Sequence, residues 1–147
     1  MSTTHPTHLV TSSTGYLMLR LADVIHQRIE SLLGQWNLTG RDLRVLSFAY
    51  AQPLSQRELC QLAGLDRTTM VAVVDKLEDL GLACRERGSD RRKYIVTLTS
   101  HGRAIAEDAI EQLATAEAEF LQPISRAEQQ QFHALLTSLF QAHDPTC

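Results

Sequence analysis

The chain has 147 residues, 44% hydrophobic and 21% charged, with a formal net charge of −3. That balance suits a soluble globular protein with a real core, and no apolar run approaches the ~20 residues that cross a bilayer. Three widely spaced cysteines, Cys60, Cys84 and Cys147, make neither a disulfide framework nor a Cys-x-x-Cys zinc pair, so no cofactor or structural metal is expected.

The N-terminal stretch Met1-Ser2-Thr3-Thr4-His5-Pro6-Thr7-His8 is polar and lacks the charged and apolar regions of a signal peptide, so a cytoplasmic location is expected. From about Gly15 to Trp36, the residues Leu17, Leu21, Val24, Ile25, Ile29, Leu32, Leu33 and Trp36 recur at spacings of three and four. This predicts an amphipathic helix of roughly six turns, its end loosened by Gly34 and Asn37. A second helix is predicted over about Gly40–Ala51, entered through Thr39 with Asp42 and stopped before Pro53. A third covers about Gln56–Ala63, with Ser55 and Glu58 as a capping box, Leu59 and Leu62 inward and Gly64 as C-cap.

Asp66 then caps a fourth helix, about Arg67–Leu80, which Gly81 ends. Its inward side is Met70, Val73, Val74, Leu77 and Leu80, leaving Val71, Ala72, Asp75 and Lys76 outward. Strands are predicted at about Ala83–Arg87 and Arg92–Leu98, joined by a Gly88-Ser89 turn. A helix from Thr99-Ser100 to about Leu121, broken by Pro123, is followed by a last one over about Ala127–Ala142 behind Ser125 and Glu128. The last helix carries Phe132, Leu135, Leu136, Leu139 and Phe140. No repeat or linker interrupts the chain, so the expected fold is a single unit, mainly α, of six helices and one small β-hairpin.

The charge is unevenly distributed. Residues 104–147 carry one Arg against seven acids, whereas residues 55–103 carry nine Lys and Arg against seven acids. Six of the chain's 14 basic residues lie within Arg85–Arg103: Arg85, Arg87, Arg91, Arg92, Lys93 and Arg103. A basic-tipped hairpin directly after two short helices is how a winged helix meets DNA, and phosphate attraction follows the local face rather than the net charge.

A recognition helix needs short, adaptable side chains at its N-terminal end, nearest the base edges. Arg67, Thr68 and Thr69 fit that place, Arg67 to read guanine or hold phosphate. Val71 and Ala72 either meet thymine methyl groups or form a permissive surface or a contact with a neighbouring helix. Lys76 is either a phosphate contact or a solvated charge. On the wing, Asp90 two residues before Arg92 is expected to brace the Arg92 guanidinium for a narrow minor groove. No Gly-rich phosphate loop, nucleophile elbow, His-Glu-x-x-His or paired-carboxylate site occurs, so a binding protein is expected rather than an enzyme. The six histidines show no close pairing with acids on one helical face, so no metal is expected there either.

Several of these residues together resemble the signature of the MarR family of bacterial regulators. They are Leu77-Glu78-Asp79-Leu80-Gly81-Leu82, Arg85, Asp90-Arg91-Arg92, Val96-Thr97-Leu98-Thr99 and Gly102, with Leu54-Ser55-Gln56-Arg57-Glu58-Leu59 similar to the family's entry into the reader. The likeness spans about residues 15–142. It implies a homodimeric six-helix winged helix-turn-helix protein within 1–147. Residues about 12–37 and 100–143 would be dimerisation helices, and about 39–99 the DNA-binding lobe. It further implies binding to a pseudo-palindromic double-stranded operator, usually as a repressor. The implied DNA-binding set is Ser55, Gln56, Arg67, Thr68, Thr69, Val71, Ala72, Lys76, Arg85, Arg87, Asp90, Arg91 and Arg92. Four residues separate Arg85 from Asp90 where relatives often have five or more, which implies a short wing tip. Val71 and Ala72 stand where many relatives carry polar residues.

The resemblance also implies release by a small aromatic or anionic ligand bound between the dimer helices and the reader. Arg20, Trp36, Arg44 and Tyr50 are the candidates for that site. For Arg20, an ion pair with Asp23 or with an acid of the C-terminal helices across the dimer is the other reading. Two alternatives stay open: a redox-responsive regulator of the same fold using Cys84 beside Arg85, and a winged-helix activator of another family. Cys60 reads as a small core residue and Cys147 as a loose terminal thiol, and the reactive cysteine of the family's peroxide sensors, early in the first helix, has no counterpart before Cys60.

Overall fold

Hydrogen-bonded caps set most of the helix starts. The structure, a computed structural model, describes residues 6–90 and 92–144. Its elements in chain order are α1 (Pro6–Thr11), α2 (Thr14–Leu33), a 3-10 turn (Gly34–Trp36), α3 (Gly40–Ala51), β1 (Leu54–Ser55), α4 (Gln56–Ala63), α5 (Arg67–Asp79), β2 (Ala83–Arg87), β3 (Tyr94–Leu98), α6 (Ser100–Leu121) and α7 (Arg126–His143). Reciprocal capping boxes close the starts of α3 (Thr39 with Asp42), α4 (Ser55 with Glu58) and α7 (Ser125 with Glu128), each satisfying two orphan N–H groups. Between α4 and α5 the chain turns at Gly64, whose φ of 63° suits a residue without a Cβ.

The core lies in the lobe formed by α3, α4, α5 and the sheet. Val45, Leu46, Leu59, Met70, Val74, Leu77 and Val96 are fully buried there, and Leu33 from the end of α2 and Ala109 from α6 close it. The sheet order is β1-β3-β2, all antiparallel, with Leu54 opposite Val96 and Arg85 also opposite Val96 on the other side.

The family signature has a mechanical reason. Thr99 caps α6 through the Gly102 N–H at 3.0 Å, while its hydroxyl donates to the Gly81 carbonyl at 2.6 Å. A Cβ at Gly102 would overlap the Leu82 carbonyl, so only glycine lets α6 dock onto the turn after α5.

Four expectations need correction. A short helix, α1, precedes the six expected ones, and a two-residue strand, β1, joins the hairpin. The second hairpin strand begins at Tyr94, because Arg92 and Lys93 belong to the turn. Leu62 is 49% exposed rather than inward, since Leu59 and Ala63, one turn apart, take the buried side of the short helix α4. Apart from these corrections, the apolar residues of α7 and the first half of α2 lie outside the core: Leu19 is 70% exposed and Phe140 67%.

Candidate nucleic-acid interface

The recognition helix α5 starts at Asp66, whose carboxylate accepts the Thr69 N–H at 2.7 Å. That bond, with one from the Thr69 hydroxyl, holds the Asp66 carboxyl below the usual carboxylate range. Beyond the cap, Arg67, Thr68, Val71 and Ala72 are exposed and Thr69 is half-buried. Inward, Met70, Val73, Val74 and Leu77 are buried, as their spacing requires.

Arg85, expected on the DNA-facing set, is spent inside the lobe. Its Nε donates to Gln56 Oε1 at 2.6 Å and its Nη1 meets Glu78 Oε2 at 2.8 Å and Asp75 Oδ1 at 2.7 Å. Its Nη2 reaches the Val71 carbonyl at 3.4 Å, and its backbone N–H donates to Glu78. The guanidinium thus ties the wing strand to α4 and α5, and only 17% of its side chain is exposed. Gln56, expected beside it on the same set, is the acceptor of that strut.

Lys76 is also committed. Its Nζ lies 2.6 Å from Asp42 Oδ2, and that side chain is 3% exposed. The pair joins α5 to the first turn of α3, with about a third of the Lys76 side chain (34%) left exposed. Ser55 is buried, and its hydroxyl accepts the Glu58 N–H. The Ser55 N–H returned to Glu58 lowers that carboxyl's pKa.

On the wing, Asp90 does not hold the Arg92 guanidinium. Its carboxylate accepts the Arg92 backbone N–H at 3.1 Å, and Lys93 N–H and Gly88 N–H close the turn. The brace therefore acts on the chain path, as an Asx turn does. Arg87, Asp90, Arg92 and Lys93 are exposed, and Arg91 lies outside the described residues.

Between the wing and the two reader helices runs a groove of about 960 Å³, lined by Gln56, Arg57, Glu58, Gln61, Arg67, Asp90, Arg92, Lys93 and Tyr94 among others. Four cations, Arg57, Arg67, Arg92 and Lys93, face one opening from three different elements. Arg57, Lys93 and Tyr94 were not among the residues expected at the site. Lys93 was legible as part of the basic run; Arg57 and Tyr94 enter only because the wing folds back toward α4.

A second cavity of about 650 Å³ lies between α2, α3 and α6, with His26, Ile29, Glu30, Arg41, Arg44, Phe48 and Leu113 in its walls. Of the four expected ligand residues, only Arg44 lines it, and Arg44 Nη1 also donates to the Ala63 carbonyl at 2.9 Å. Arg20 instead stacks on Tyr16, 6.0 Å from the ring centre. Trp36 packs against the core. The Tyr50 hydroxyl donates to Glu107 at 2.7 Å with Arg103 over its ring, and the Glu107 carboxylate raises the phenol's pKa. Within the single chain the four residues do not line one cavity.

Cys60 lines the groove beside the wing, and partial burial pushes its thiol pKa up. Cys84 shares a 3.1 Å hydrogen bond with the Thr97 hydroxyl. Cys147 lies outside the described residues.

The family model described as MarR family matches residues 36–93. The HTH-type transcriptional repressor Rv2887 of Mycobacterium tuberculosis is 32% identical over 127 residues, covering 85% of this chain and 91% of that protein. A structure of Rv2887 with salicylic acid is 31% identical with a TM-score of 0.70, covering 87% of this chain and 96% of that one. The repressor CouR, a protein of Rhodococcus jostii RHA1, has been solved on a 23-mer DNA duplex. That structure is 27% identical with a TM-score of 0.83, covering 93% of this chain and 99% of that one. With the capped reader helices, the basic wing and the Thr99–Gly102 junction in place, the chain belongs to the MarR family.

Proposed function

We propose that this protein is a sequence-specific DNA-binding transcriptional regulator, a homodimeric repressor at a pseudo-palindromic operator that a small aromatic or anionic ligand releases. The observation that carries the reading is the convergence of Arg57, Arg67, Arg92 and Lys93 on one groove in a chain of net charge −3. Such a local cationic face holds phosphates and fixes the register of the reader helix. The similarity to CouR, solved on DNA, supports it. Residues about 39–99 form the DNA-binding lobe in this reading, and about 12–37 and 100–143 supply the dimerisation helices. The apolar residues left exposed on α2 and α7 support that division. In this reading the ligand's place is the cavity between α2, α3 and α6, and the relative solved with salicylic acid supports a small aromatic acid as its class.

Fluorescence anisotropy on duplexes tiling the region upstream of the gene, with scrambled duplexes at ~150 mM salt, tests this. One duplex bound at least ~10³-fold more tightly than scrambled DNA is the expected result. Uniform weak binding that fades with salt would leave only non-specific attraction. The position of the bound site relative to the promoter then decides between repression and activation.

A further inference from the structure

The outer face of α5 has been stripped of most of its polar readers by the lobe's own contacts. The Asp75 carboxylate is held by Arg85 at 2.7 Å and the Lys76 ammonium by Asp42 at 2.6 Å. Thr69 is half-buried, with its backbone N–H held by Asp66 at 2.7 Å. Among the described residues, Arg67 and Thr68 are exposed members of the first turn of this face whose polar side-chain groups make no internal hydrogen bond or ion pair. In the middle of the face stand two apolar residues, Val71 and Ala72, both exposed.

This placement needs a partner that is apolar but lies within a field of negative charge, because Arg67, one turn earlier on the same helix, shares a cationic groove with Arg57 and Arg92. The major groove offers one apolar feature at its base edges, the C5-methyl group of thymine. Resting on the DNA-binding reading above, we propose that Val71 and Ala72 are specificity-determining residues that seat thymine methyl groups. Arg67 and Thr68 supply the hydrogen-bonded part of the readout one turn earlier. The half-site is then recognised by where its thymine methyls fall rather than by a run of bidentate polar contacts.

The test replaces thymines of the bound duplex by uracil, one position at a time. Uracil keeps every hydrogen-bonding group of thymine and removes only the methyl. The expected result is a loss of about fourfold in affinity at one or two positions of each half-site, the worth of one buried methyl-sized group. Val71→Ser or Ala72→Ser, both at exposed positions, is expected to abolish that difference at its own base while specific binding persists. Equal affinity for all uracil duplexes, with specific binding intact, would overturn the proposal. So would a uracil effect that survives undiminished in both variants. If no duplex is bound specifically, the DNA-regulator reading itself fails, and this proposal falls with it.

Discussion

The Arg85 guanidinium makes hydrogen bonds from its Nε and both terminal nitrogens, reaching residues 56, 71, 75 and 78. A planar fork of five donors can serve several acceptors at once, which a lysine ammonium on a flexible stem cannot reproduce. Removing it would leave Glu78 and Gln56 half-buried without their donor and free α5 to tilt against the wing. Arg85→Ala is expected to cost about 1–3 kcal/mol of stability in urea unfolding, with Arg85→Lys recovering only part of it. Unchanged stability in the alanine variant would mean that the strut is dispensable. Arg67 carries the opposite expectation, since its guanidinium makes no hydrogen bond or ion pair among the described residues. Arg67→Ala should leave stability within about 0.5 kcal/mol. It should cost about 1–3 kcal/mol of specific DNA affinity if Arg67 reads guanine, and anisotropy on the bound duplex against scrambled DNA measures that loss.

Among the elements, the two reader helices depend on carboxylate caps whose charge matters. Asp66 at the start of α5 is held low first by the Thr69 backbone N–H, and Glu58 at the start of α4 by the Ser55 backbone N–H. A carboxylate with a lowered folded-state pKa stabilises the fold fully above its unfolded value, near pH 4, and loses that contribution as pH falls through the folded value. The midpoint of urea unfolding is therefore expected to fall as pH drops from about 5 to 2. Asp66→Asn keeps a good neutral cap and so should flatten that slope while changing stability little at pH 7. An undiminished slope in the variant would assign the acid loss to other carboxylates. The same local logic made these helices legible beforehand, because Ser55 lies three residues before Glu58 and Asp66 stands directly before the first turn it caps. The strand β1 was not legible: two residues carry no alternation, and Leu54 becomes a strand only because β3 presents an open edge to it.

Across the whole molecule, α7 and the first half of α2 are amphipathic helices whose apolar sides meet little within the chain. Leu135, Leu139 and Phe140 on α7 and Leu17, Met18, Leu19, Leu21 and Val24 on α2 are all exposed. Exposed apolar helix faces of this kind mark an interface, and the proposed dimer covers them. Sedimentation is expected to give twice the chain mass at micromolar concentration. Leu139→Glu combined with Phe140→Glu should shift the protein toward monomer and weaken operator binding, because two half-sites can no longer be engaged together. A wild-type protein that sediments as a monomer would remove the dimer from the proposal.

The sequence by itself determined the order and nearly all the bounds of six helices, the hairpin and the basic character of its tip. Those features rest on caps, turns and periodicity that act within a few residues. Only the tertiary structure decided what the charged side chains do. Arg85 and Gln56 are 29 residues apart, and Lys76 and Asp42 are 34, so no local pattern could announce that these groups would meet and withdraw from the DNA face. Asp90, read as a brace for a guanidinium, turned out to brace the backbone, because the short wing tip brings its carboxylate to the Arg92 N–H first. Which cations stay free, and how apolar the reading face of α5 becomes, follow from pairings that exist only once the lobe has closed.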